Sequence, residues 1–168
     1  GNPYSTTSQI ILDVVYDYYN TNHEQRPFFP SSNLAMPADQ FYAIGGFDPT
    51  FTTSEDRDFG DRWCHHGFQM TYAPEALVYH AHALTFSTFW RRYFNYGRGA
   101  FRFHQGVAGR SSGRFKVDLK FYLNLFCYPF LQERGWRALQ VTVLLLMSQV
   151  ANTMGFYWEW LKRPVEKK

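Results

Sequence analysis

The stretch Thr52-Thr-Ser-Glu-Asp-Arg-Asp-Phe-Gly-Asp-Arg-Trp63 constrains this chain most. Phe59 and Trp63 stand four residues apart, so a helix over residues 55–66 would carry an apolar stripe that has to be covered. Ser54 precedes it as a predicted N-cap, and Gly67 follows it as a natural helix stop. The adjacent carboxylates Glu55 and Asp56 then fall in the first turn. There the helix dipole and unpaired backbone N–H groups favour the ionised form, which suits a general base. Acidic residues also occupy first turns simply because they stabilise helices, so the stretch supports a structural reading as well as a catalytic one.

Apolar periodicity predicts further helices over residues 5–20, with Ser5 or Thr6 as cap, and over 38–44, stopped by Gly45-Gly46. Others are predicted over 86–103, capped by Thr85, over 118–131, broken near Pro129, and over 136–161. Residues 31–36, 68–72 and 77–80 read as short strands, and 105–116, rich in Gly, Ser and Arg, as a loop. The expected class is α/β and helix-rich. Three parts are expected: residues 1–104, a flexible loop at 105–117, and a helical segment at 118–168.

With 45% hydrophobic and 20% aromatic residues over 168 positions, the chain can bury a core and is not a disordered segment. Its charge is divided unevenly. Residues 1–90 hold 3 Lys/Arg against 10 Asp/Glu, whereas residues 91–168 hold 14 against 4. The basic part therefore points towards phosphates, an acidic partner or a membrane surface. The predicted helix 86–103 interleaves Arg91, Arg92, Arg98 and Arg102 with Phe89, Trp90, Tyr93, Phe94 and Tyr96. Guanidinium forks suit phosphate oxygens, although a solvated basic face reads the same way, and no nucleic-acid-binding motif accompanies them. Gly97 and Gly99 are costly inside a helix, at about 1 kcal/mol each, and imply a close approach or a break.

Cys64 and Cys127 form no disulfide framework and fit a reducing compartment. His80-Ala-His82 on a strand would turn both rings to one face, as metal ligands require, with Cys64, His65 and His66 near in sequence. In the tail, the run Val141 to Met147 is shorter than a bilayer, and Trp158, Trp160, Lys162 and Arg163 make an interfacial end. The tail is thus expected to lie on the domain or on a membrane surface rather than to cross one.

Five pieces occur in series: Ser32-Asn-Leu-Ala-Met36, Phe41-Tyr-Ala-Ile-Gly-Gly-Phe-Asp48, Ser54-Glu-Asp-Arg-Asp-Phe59, Gly67-Phe-Gln-Met-Thr-Tyr-Ala-Pro-Glu-Ala-Leu-Val-Tyr-His80 and Arg91-Arg-Tyr-Phe-Asn-Tyr-Gly-Arg-Gly99. Over residues 31–104 the chain resembles the C-terminal half of a family 2 glycosyltransferase with the Rossmann-like GT-A fold, followed by a helical tail. The resemblance implies that Asp56 is the general base on an acceptor hydroxyl in an inverting transfer, supported by Glu55. It implies that Gly45, Gly46, Phe47 and Asp48 shape the acceptor side, and that Arg91, Arg92 and Arg98 lie near the departing diphosphate. It also implies a divalent cation, Mn²⁺ or Mg²⁺, with His80 as a ligand and His82 as a second candidate once an N-terminal nucleotide-binding half is present. The expected partners are a nucleotide-sugar donor and a carbohydrate or lipid-linked acceptor, with no nucleic acid.

A chain of this kind would be cytoplasmic, peripheral on the inner face of a membrane, inactive by itself and prone to self-association through open strand edges. The Gln-x-x-Arg-Trp motif of processive relatives is absent, with Phe89-Trp-Arg-Arg92 near its place. Two readings of other classes compete: a non-catalytic membrane- or partner-binding module with a basic aromatic surface, and a small zinc-binding domain.

Overall fold

The computed structural model describes residues 1–21, 28–79, 83–110 and 119–162. Among them are six α-helices: α1 Pro3–Thr21, α2 Ala38–Ala43, α3 Glu55–His65, α4 Phe86–Arg110, α5 Leu119–Gln132 and α6 Trp136–Lys162. A single 3₁₀ turn, Ser31–Asn33, precedes α2.

The described residues contain no strand, which overturns the expected α/β, Rossmann-like class. Of the segments read as strands, Ser31–Asn33 forms the 3₁₀ turn and Leu34 is extended, while residues 68–72 and 77–79 have no regular structure. Leu34, Met36, Phe68 and Met70 lay their side chains over the α3 residues Phe59 and Trp63. Leu77, Val78 and Tyr79 remain exposed. Alternating side chains produce the strand pattern in sequence, but a strand also needs a neighbour to share its backbone hydrogen bonds, and these segments meet helices instead.

Helix boundaries follow local chemistry. Pro3 opens α1, and the Asn2 carboxamide oxygen, rather than Ser5 or Thr6, accepts from the N–H groups of Tyr4 and Ser5 at 3.0 and 3.1 Å. Thr85 caps α4 reciprocally with Thr88, as its type predicts. The helix then continues through residues 105–110, where a loop was expected. Pro129 lies inside α5 without ending it.

Two apolar clusters form. The larger joins α1, α4, α5 and α6 through Ile11, Val14, Phe89, Tyr93, Leu125, Leu145 and Ala151. The smaller centres on Ile44, Phe59 and Trp63. Helix α4 borders both. On one side it lies against α6, with no side chain between the helices: a methyl group at Gly97 would meet the Asn152 carbonyl carbon at 2.7 Å, and one at Gly155 would meet that of Phe94 at 2.8 Å. Gly97 with Asn152, Phe101 with Phe156 and Arg102 with Glu159 climb both helices together, so the two run side by side in one direction. On the other side Gly99 admits the Thr53 carbonyl and the Thr53 and Ser54 hydroxyls, and Thr53 Oγ1 donates to the Asn95 carbonyl at 2.7 Å. The glycine pair therefore marks two close approaches rather than a break.

Helix α6 is longer in its apolar reach than the Val141–Met147 run suggested. By length and composition it could cross a membrane, and 33% of its most apolar window is buried against the rest of the protein.

Candidate active site

Helix α3 begins from a strained backbone. Ser54 has φ 70°, the left-handed region, and its side chain makes no capping hydrogen bond. The predicted cap is thus present in position but not in chemistry, and the first turn is set instead by the contact of Thr53 and Ser54 with α4.

Asp56 follows two residues later. Its Oδ1 accepts from the Arg57 N–H at 2.8 Å, and its Oδ2 lies 3.4 Å from the Ser31 N–H. Burial pushes its carboxyl above the usual aspartate range, and the neighbouring Glu55 charge pushes it the same way. The Arg57 and Ser31 N–H groups and the Arg57 charge oppose the rise without cancelling it. The sequence argument from the helix dipole expected the opposite direction, and desolvation outweighs that dipole here. The result is a more basic carboxylate.

Tyrosines surround it. Burial, followed by the Asp56 charge, raises the Tyr16 phenol to about 12. The Tyr96 phenol is raised by burial, with Asp56 and Glu55 adding to the rise and Arg92 opposing it. Asp56, Glu55, Tyr16, Tyr96 and Arg92 therefore share one electrostatic neighbourhood. Arg57 turns away into an aromatic cage, 5.3 Å from the Tyr19 ring, 5.7 Å from Phe28 and 4.9 Å from Phe103, and donates to Tyr19 Oη at 2.9 Å. Tyr16, Ser31 and Arg57 carried no functional signal in sequence, and Tyr96 was read only with the basic aromatic face of its helix, because the four come from separate segments.

The remaining predicted residues do not all converge on Asp56. Two positions along a helix point roughly opposite ways, and Asp58 accordingly faces another ion-paired group. Arg62 bonds Asp58 at 2.8 Å and donates to the carbonyls of Ile44 and Gly46 at 2.7 and 2.6 Å. Arg110 bridges Asp58 and Asp61 at 2.8 and 3.0 Å. The Gly45–Asp48 turn is thus tied to the Asp58 side, with Phe47 packed on Phe59 at 5.0 Å. Asp48 accepts from the Thr50 N–H, which holds its carboxyl below the usual range, and it borders a cavity of about 420 Å³ shared with Asp58, Arg102, Arg110 and Glu159. Arg98 pairs with Glu159 at 2.9 Å, on the α6 side of α4. Arg91 is exposed, and Arg92 acts on the Tyr96 phenol, on which Asp56 and Glu55 also act.

His80 and His82 lie outside the described residues. His66 Nδ1 sits 2.9 Å from the Arg62 carbonyl, and Cys64 Sγ 3.7 Å from Met70 Sδ. Among the described residues no three His, Cys, Asp or Glu side chains converge as ligands of a metal ion would.

In comparisons with known proteins, the family model described as Glycosyl transferase family group 2 matches residues 4–162. No curated protein and no solved structure matches the chain.

Proposed function

The chain belongs to the family 2 glycosyltransferases, and from that membership we propose an inverting hexosyl transfer in which Asp56 is the general base. The family's substrates are a nucleotide-sugar donor and an acceptor. In the proposed step the acceptor hydroxyl oxygen attacks the anomeric carbon while Asp56 takes its proton. The bond from that carbon to the diphosphate oxygen breaks, and the nucleoside diphosphate leaves with the electron pair. Burial and then Glu55 keep Asp56 basic against the adjacent Arg57, and Arg92 acts on the Tyr96 phenol that Asp56 also influences. Family 2 enzymes generally use a divalent metal, which would neutralise the leaving diphosphate. The described residues do not furnish its ligand set. On this reading the chain supplies the base and the acceptor side.

The observation that carries the proposal is Asp56 itself: a carboxylate at a strained helix start, made more basic by burial, whose charge helps raise the Tyr16 and Tyr96 phenols. In the intact enzyme that carries this chain, Asp56→Asn should lower kcat by about 10²–10⁴ with the fold unchanged by circular dichroism. Near-normal turnover would remove Asp56 from the chemistry.

A membrane contact accompanies this reading. Leu139, Val143, Leu146, Val150, Met154 and Leu161 are exposed along one side of α6, opposite the arginine-bearing α4. One apolar side and one basic side favour a peripheral position on the cytoplasmic face, with α6 in the interface. Flotation with anionic liposomes at low and high salt tests it, and protein left at the bottom of both gradients would refute it.

A further inference from the structure

Beside the base stands an aromatic pair that the proposed chemistry does not use. Phe29 and Tyr72 are stacked, with ring centroids 6.0 Å apart and planes 15° from parallel, and Tyr72 is 46% exposed. Most aromatic pairs among the described residues are tilted or edge-on; this one is parallel and open to solvent.

The surroundings hold the pair rigidly next to Asp56. The Asn20 side chain clamps the Phe28 backbone, accepting from its N–H at 3.0 Å and donating to its carbonyl at 3.1 Å, which fixes the residue before Phe29 to α1. Two residues after Phe29, the Ser31 N–H faces Asp56 Oδ2. From the same turn Asn33 Nδ2 donates to the Ala76 carbonyl at 2.7 Å and anchors the segment that carries Tyr72. The Tyr72 and Asp56 charges both act on Tyr16. Chain reach sets the scale: two extended residues span about 7 Å, which with the 3.4 Å from the Ser31 N–H to Asp56 Oδ2 keeps the Phe29 backbone within reach of a short oligosaccharide from the base.

We infer that Phe29 and Tyr72 form an acceptor subsite that takes a carbohydrate ring on the open face of Tyr72 and presents its hydroxyl to Asp56. This rests on the reading of Asp56 as general base. A pyranose has an apolar face of C–H groups and a rim of hydroxyls. An aromatic ring covers the face, while the nearby Tyr16 and Tyr96 phenols and the Asp56 carboxylate meet the rim. The subsite lies on the Asp56 side of α3 rather than on the side of the Gly45–Asp48 turn, where the resemblance placed the acceptor.

The test uses neutral trisaccharides (cellotriose, chitotriose and maltotriose) as probes, with binding to the intact protein read by saturation-transfer NMR. At least one should bind. Tyr72→Ala should weaken it about 5–50-fold and Phe29→Leu less, whereas Tyr72→Phe should stay within about twofold. Asp56→Asn should leave this binding largely intact, which separates the subsite from the base: a Tyr72-dependent ligand together with an active Asp56→Asn enzyme would retain the subsite and refute only the base. Binding that is equal in wild type and Tyr72→Ala, or no binding up to about 10 mM of any probe, would overturn the subsite.

Discussion

Replacing Gly97 by alanine should destabilise the protein, although the same change on an open helix face stabilises. Alanine is favoured over glycine in a helix interior by about 1 kcal/mol. At Gly97 the added methyl carbon would lie 2.7 Å from the Asn152 carbonyl carbon and 2.9 Å from the Phe156 nitrogen, against 3.4–4 Å for ordinary contact. The obstacle is backbone, which cannot rotate aside, so α4 and α6 must separate by about 1 Å along a tightly packed seam. Overpacking of this kind costs about 1–3 kcal/mol, and a backbone clash belongs at the upper end. Subtracting the propensity gain leaves a net loss of about 2 kcal/mol, or roughly 1 M in the urea midpoint at a slope near 2 kcal/mol/M. Gly109 is the control on the same helix, because a methyl group there meets nothing within 4 Å. Gly109→Ala should raise the midpoint by up to about 0.5 M. The assay is urea unfolding followed by tryptophan fluorescence and circular dichroism. If Gly97→Ala raises the midpoint as Gly109→Ala does, the seam is not closed by backbone contact and the packing argument fails.

Two further outcomes follow from the charges. Asp56 must be ionised to accept a proton, so kcat/KM should fall with decreasing pH along a limb above the ordinary aspartate range. Glu55→Gln, which removes a charge that raises the Asp56 carboxyl, should move that limb to lower pH, and a limb that stays put would exclude Asp56 as its source. Burial alone would raise the Glu159 carboxyl, but hydrogen bonds from Arg98 and Arg102 hold it below its usual value. A depressed folded-state value adds stability above the unfolded pKa that is lost as pH falls through the folded one. Glu159→Gln should therefore cost about 1–3 kcal/mol at pH 7 and far less near pH 3, read from paired urea titrations.

Much of the helical framework was legible because its signals are local. Phe59 and Trp63 at helical spacing, Gly67 past the end of α3, and Thr85 at the head of α4 each act within a turn of their own position. What escaped were effects that join distant segments. Residues 68–72 alternate as a strand does, yet alternation also suits one extended chain laid over a helix, and only the partner distinguishes them. The dipole at Asp56 can be inferred from its place in the helix, whereas its burial depends on elements that come from elsewhere in the chain. Arg98 looked free for a phosphate because Glu159, its partner, lies 61 residues away. The Asp56 position was legible, but the phenols and the aromatic pair around it were not.

Gly97 and Gly99 make α4 a helix with bare backbone on two nearly opposite sides, one against α6 and the other against the Thr53–Ser54 bend. Side chains are the compliant part of a protein interior, because they can change rotamer when a neighbour shifts; α4 offers none at either contact, and only the short hydroxyls of Thr53 and Ser54 stand with the Thr53 carbonyl at Gly99. Movement of α6 against α4 is therefore passed across the helix like thrust through a rigid strut, into the bend that carries Ser54 at φ 70° and starts the turn holding Asp56. Whatever sets the seating of α6 also sets the alignment of that carboxylate.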